Sequence, residues 1–208
     1  RIPKGHALAG VVTLICMLLC IPTAPENVLR SSALPGPMTH GEFFFNEVGR
    51  SATVTVFDQD GSFRFQTNGL PEAKVAPLGA GLPYTYDGAW LTALPTLMRP
   101  EIESMLIVGL GGGVAASYVP PSIKQFDVFE LEPAVVDANE RIRYLRNRDP
   151  LSDPRINIVL NDGRNGLSLT TKKYDEIVTQ PSHPWTAGAS HLYTVEFDQI
   201  VHDRLNEG

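Results

Sequence analysis

Three places in this sequence combine residue types and spacings that could do chemistry. The first is "MLIVGLGGGVAAS", Met105 to Ser117, an apolar run that collapses into Gly109, Gly111, Gly112 and Gly113. A strand that ends in glycine and leads into a helix lets a ligand approach the backbone closely. The run resembles a dinucleotide fingerprint without its last glycine interval, and no Gly-Lys-Ser/Thr follows, so the ligand need not carry a phosphate. The second is Glu130, about twenty positions on at the end of "FDVFELE", where an acid in a doubly wound fold accepts from ribose hydroxyls. The third is Asp162-Gly163, after "INIVL", where a carboxylate can accept from an exocyclic amine such as that of adenine. Each has a plainer reading: close helix packing for the glycines, solvated loop acids for Glu130 and Asp162, a turn for Asp162-Gly163. Their common register at three strand ends points to a nucleoside in one crevice.

The elements that must position these residues are legible from periodicity. "MLIVG", "FDVFELE", "INIVL" and "YDEIVTQ" read as strands. Helical patterns lie between and after them, over residues 113–119, from Pro133 (Val135, Ala138, Ile142 and Leu145 on one face) and from Thr194 (Phe197, Ile200, Val201 and Leu205 inward). Alternating strands and helices predict an α/β fold with a parallel sheet covered on both faces. Upstream, "GRSATVTVFDQDGSFRFQTNG" reads as a β-hairpin with a further turn at Asn68-Gly69, and Tyr86 to Met98 as a helix.

The chain has 208 residues and a net charge of −6, with no basic block, which argues against a nucleic-acid partner. Cys16 and Cys20 form neither a disulfide framework nor a metal site. Leu8 to Pro22 is uncharged behind Arg1 and Lys4; we read residues 1–25 as a transmembrane helix, with a secretory signal or a core helix as alternatives. Residues 26–45 read as a linker, 46–84 as a small β domain and 85–208 as the nucleoside-binding domain. The chain begins without Met and ends as a helix reaches glycine, so it is expected to be a piece of a longer protein whose sheet continues beyond Gly208.

The segments "VGLGGGV", "FDVFELEPAVVDAN", "LNDGRNGL" and "YDEIVTQPSHP", with the upstream hairpin, occur in the order seen in spermidine synthases. From about Asn46 to Gly208 the chain resembles that aminopropyltransferase family, most closely members whose domain follows membrane helices. The resemblance implies a methyltransferase-like (Rossmann-like) sheet, with membrane attachment through the N-terminal helix and a cytoplasmic domain; a homodimer is one option, and the sequence does not fix the oligomeric state. It also implies decarboxylated S-adenosylmethionine, or S-adenosylmethionine, as co-substrate without a metal, and a small-molecule amine as acceptor. Gly109, Gly111 and Gly113 would line the methionine-derived tail, Glu130 would hold the ribose, and Asp162, with Gly163, the adenine.

The resemblance breaks where the family carries an acidic stretch after the fourth strand. Here Gln180, Pro181, Ser182, His183 and Pro184 stand in its place. Gln180 can hold an amine but cannot take its proton, whereas His183 could take one. Trp185 and Tyr193 could wall an amine through cation–π contact or belong to the core. Asp87 and Glu72 are further candidate cation ligands. Three functions therefore compete: an aminopropyltransferase-like enzyme, another S-adenosylmethionine-dependent transferase such as a methyltransferase, and a nucleoside- or polyamine-binding domain without turnover.

Overall fold

The computed structural model describes residues 4–19, 40–81, 86–181, 183–186 and 188–207. Helix α1 is Lys4–Leu19. Strands β1 (Glu42–Val48), β2 (Thr53–Gln59), β3 (Ser62–Thr67) and β4 (Leu70–Val75) form an antiparallel sheet in that order. Its two tight turns, Asp60-Gly61 and Asn68-Gly69, hold all four residues at positive φ, the geometry that matches the twist of a two-residue hairpin. The sequence pattern revealed β2 and β3 only. β1 carries three consecutive phenylalanines across a bulge, and β4 is an edge strand interrupted by Pro71, so neither shows the simple alternation of a half-buried strand.

Helix α2 (Tyr86–Met98) leads to β5 (Ser104–Val108). Then follow α3 (Val114–Ser117), β6 (Gln125–Glu130), α4 (Pro133–Ile142), β7 (Ile156–Leu160), α5 (Gly163–Leu169), β8 (Glu176–Thr179) and α6 (Val195–Asp203). The second sheet is parallel, in the order β7-β6-β5-β8. Chain direction across the sheet reverses at β5, which has β6 on one side and β8 on the other. The carboxyl ends of these strands therefore flank a topological switch point, where open α/β sheets bind ligands.

One core joins the two sheets: Val54, Val56, Phe63 and Phe65 pack in the same cluster as Met105, Ile107, Val128, Ala138 and Ile142. The opposite face of the parallel sheet buries Leu106, Phe129, Leu167, Tyr174 and Phe197. Helix α2 reverses the expectation for an amphipathic helix. Thr92 and Thr96 are buried, their hydroxyls bonded to carbonyls of α2 itself and, for Thr92, also to those of Ala115 and Tyr118, while Trp90, Leu94, Leu97 and Met98 are exposed.

The expected membrane span over residues 1–25 requires correction. Helix α1 has 16 residues, and no helix among the described residues is long and apolar enough to cross a membrane. Helix α1 therefore supports neither the membrane partner nor the membrane location. Residues 1–3, Cys20 and most of the expected linker lie outside the described residues.

Candidate functional site

The glycine run after β5 divides by role. Gly109 (φ +94°) and Gly111 (φ +53°) adopt left-handed backbone, and a Cβ at either would meet nothing within 4 Å; both border open space. At Gly112 a Cβ would lie 2.8 Å from Ala73 Cβ and Val75 Cγ2, so the loop touches β4 there. At Gly113 the space is filled by Pro150 Cγ at 2.8 Å and Asn139 Oδ1 at 2.9 Å, which takes it off the open side assigned to it with Gly109 and Gly111.

Two residues not singled out in the sequence hold this loop. Asn139 Nδ2 donates to the Gly111 carbonyl at 2.8 Å. Arg146 donates from Nη1 to the Gly112 carbonyl and to Asn139 Oδ1, each at 2.9 Å, and from Nη2 to Ser117 Oγ at 2.9 Å. Burial pulls the Arg146 guanidinium down to about 10, so it remains a cation at neutral pH. The signal available was Asn139 itself, a polar residue on the face of α4 that also buries Val135, Ala138 and Ile142.

Glu130 ends β6 and is 7% exposed. Its Oε2 accepts the Leu110 N–H and its Oε1 the Glu132 N–H, both at 2.8 Å. Burial pushes its carboxyl above the usual carboxylate range, against the pull of the Glu132 and Leu110 amides. Each oxygen keeps acceptor capacity for a ligand hydroxyl. Asp162 is exposed and caps α5, its Oδ1 accepting the Asn165 N–H at 2.8 Å. Gly163 is buried against the Val108 side chain; its lack of a Cβ sets α5 close to β5. Glu132, which the sequence did not single out, caps α4 and accepts from Ser51 N at 2.7 Å, Ser51 Oγ at 2.8 Å and Ala52 N at 3.2 Å, joining the small sheet to the end of β6 and the start of α4.

Thr179 pairs with Val108, which sets the following residue, Gln180, beside Gly109 at the crevice rim, where it is exposed. Beyond it, the Tyr193 hydroxyl donates to the Pro181 carbonyl at 2.6 Å. His183 Nε2 lies 2.9 Å from the Pro71 carbonyl and 4.0 Å from Glu72 Oε1, and its ring centroid lies 5.3 Å from that of Trp185, with the planes tilted by 56°. A carbonyl only accepts, so Nε2 carries the proton and Nδ1 is the basic nitrogen; Nδ1 is buried without a hydrogen-bond partner among the described residues. Trp185 is 71% and Tyr193 53% exposed, so neither belongs to the core. Asp87 is exposed in the first turn of α2, and the adjacent Gly88 packs on Val114 at the end of the glycine loop. Ser182 lies outside the described residues.

A cavity of about 540 Å³, lined by Ser117, Asn147, Arg148, Asp149 and Arg155 among others, lies by the loops that precede β6 and β7, at the other end of the sheet from Glu130 and Gln180. We place the candidate site at the strand ends, because the open glycines and the acids meet there. No three His, Cys, Asp or Glu side chains cluster as metal ligands among the described residues.

The Spermine/spermidine synthase domain family matches residues 88–208. The polyamine aminopropyltransferases of Yersinia pestis (strain Pestoides F) and Yersinia pseudotuberculosis serotype O:1b (strain IP 31758) are 30% identical over 120 residues, 57% of this chain and 40% of theirs. The aligned stretch is thus less than half the length of these relatives. Among solved structures, a spermidine synthase in complex with the transition state analogue AdoDATO matches with a TM-score of 0.68 at 20% identity, over 79% of this chain and 55% of that one. Spermidine synthase from Thermotoga maritima matches with a TM-score of 0.64 at 19% identity, over 80% and 54%. These likenesses show the fold, and the family match covers more than half of the sequence: the chain belongs to the spermine/spermidine synthase domain family.

Proposed function

We propose that this chain is the nucleoside-binding part of an aminopropyltransferase-like enzyme that uses decarboxylated S-adenosylmethionine and a small amine. The observation that carries this reading is the juxtaposition of Glu130 with the open glycines. Its carboxylate is fixed by the Leu110 and Glu132 amides at the end of β6, next to Gly109 and Gly111, whose Cβ positions face empty space. A ribose diol suits the remaining acceptor capacity of Glu130, the exposed Asp162 suits the adenine amine, and the uncluttered glycines suit the aliphatic tail. The name of the AdoDATO-bound relative, a spermidine synthase, supports the same ligand class.

Bound there, the co-substrate supplies a methylene carbon activated by a sulfonium: a neutral acceptor nitrogen bonds to it, the carbon–sulfur bond breaks with its pair returning to sulfur, and the proton left on nitrogen must be removed. Gln180 stands at the rim beside Gly109 and can orient the amine through its amide oxygen, but has no proton-accepting role. That substitution favours a second reading, binding without turnover. Product analysis of the full-length protein decides. Incubation with decarboxylated S-adenosylmethionine and putrescine is expected to yield spermidine and 5′-methylthioadenosine. A methylated amine made from S-adenosylmethionine, or no product despite nucleoside binding, would refute the assignment.

A further inference from the structure

From Ile177 to Val195 the sequence contains no Asp or Glu, so the loop after β8 brings no anion to the crevice. The opposite wall does. Along the β3–β4 ladder Phe65 pairs with Ala73 but Gln66 pairs with Pro71, which leaves Glu72 as the extra residue of a β-bulge. A bulge breaks the two-residue alternation and re-aims the side chain it carries. Its neighbours fix where it is presented. Ala73 packs on Gly112 of the glycine loop, and the Pro71 carbonyl holds His183, three residues past Gln180. The Glu72 carboxylate stands 4.0 Å from His183 Nε2, and its side chain is 25% exposed.

We propose that Glu72, carried on the β4 bulge against His183, is the anionic subsite that holds an ammonium group of the acceptor amine. The carboxylate is thus supplied by the small sheet rather than by the loop after β8. His183 acts as a positioning residue, tying that loop to Pro71 so that Gln180 and Glu72 face one space. This deepens the reading of the crevice as a nucleoside site and rests on it.

The test separates binding from turnover. Putrescine is titrated by calorimetry into the full-length protein saturated with 5′-methylthioadenosine, for the wild type, Glu72→Gln and Glu72→Asp. Loss of one charged partner is expected to weaken putrescine binding about 10- to 100-fold in Glu72→Gln. Glu72→Asp should recover part of the loss, and nucleoside affinity should stay within about twofold of the wild type in both. Unchanged putrescine affinity in Glu72→Gln overturns the proposal. So does an equal loss in both variants, which would mean that the side chain only shapes β4, and so does a wild type that binds the nucleoside but no diamine. If the wild type binds putrescine through Glu72 yet forms no product, the subsite stands and the enzymatic reading falls.

Discussion

The Arg146 guanidinium lies 2.9 Å from the carbonyl oxygen of Gly112, and through that bond a buried cation sets the shape of the glycine loop. The same side chain holds Asn139 and Ser117, and Asn139 in turn holds Gly111. With the two carbonyls drawn towards α4, Gly109 and Gly111 keep their open side to the crevice. Arg146→Ala would leave these buried acceptors unpaired, at a cost of about 2–4 kcal/mol. Urea unfolding should show that loss, and 5′-methylthioadenosine affinity should fall with it. Arg146→Lys keeps the charge but not the planar fork, so it should restore only part of either. A variant as stable as the wild type would mean that the loop holds its own shape.

Asp175 gives the protein an acid limit. Burial alone would raise its carboxyl, but the Glu103 and Ser104 amides, Asn206 and the Ser104 hydroxyl outweigh it and hold it at about 2, against an ordinary value of 3.8. As pH falls, the unfolded chain takes up this proton before the folded one does. The stabilisation is therefore complete above the unfolded value and drains away as pH drops through the folded one. Asp175→Asn should be less stable than the wild type at pH 6, and the gap should close between about pH 4 and 2. Melting temperatures across that range check it; a constant gap would mean that the bonds do not depend on the charge.

The parallel sheet was legible because β5 and β6 are nearly pure apolar runs that end in glycine or acid, and their order is set by the crossover helices between them. Candidate site residues stood out in the sequence only where a residue type is unusual at a strand end, as with Glu130 and Gln180. Asn139, Arg146 and Glu132 act by filling gaps that other segments create, and Arg146 sits beyond the end of α4, where no periodicity marks it. Gly112 and Gly113 looked like Gly109 in the sequence, yet Ala73 and Val75 fill the space beside one and Pro150 and Asn139 that beside the other. The exposed apolar side of α2 misleads in the opposite sense. Leu94 and Leu97 have helical spacing, but Thr92 and Thr96 are the buried residues, because their hydroxyls find carbonyl partners.

Glu130 should contribute to nucleoside affinity through the ribose, but a simple truncation would not prove it. Glu130→Ala also strands the Leu110 and Glu132 amides, and could loosen the loop without any ligand contact. A cycle removes the ambiguity. In the wild type, 5′-methylthioadenosine should bind more tightly than its 2′-deoxy analogue by about 1.5–3 kcal/mol, the value of a hydrogen bond to a charged group. In Glu130→Ala that preference should vanish. A preference that survives the substitution would remove Glu130 from the ribose site.

Gln180 should limit aminopropyl transfer. It follows Thr179, which pairs with Val108, so its side chain begins level with Gly109 and shares the rim with the open glycines. The acceptor nitrogen has to lose a proton to finish the reaction, and the amide cannot take it. Gln180→Glu replaces the amide with a carboxylate of nearly the same shape on an exposed side chain, so packing should survive. Glu72, held near the same loop, would raise the new acid's pKa by like-charge repulsion and move it towards that of an effective base. Turnover with putrescine should rise by up to 10²- to 10⁴-fold, the usual reach of a general base, and less in the shorter Gln180→Asp. A wild type that is already fast would show that the absence of a carboxylate at this position does not limit the reaction. If neither acid variant gains activity while 5′-methylthioadenosine still binds, proton removal is not the obstacle, and binding without turnover becomes the better account of the chain.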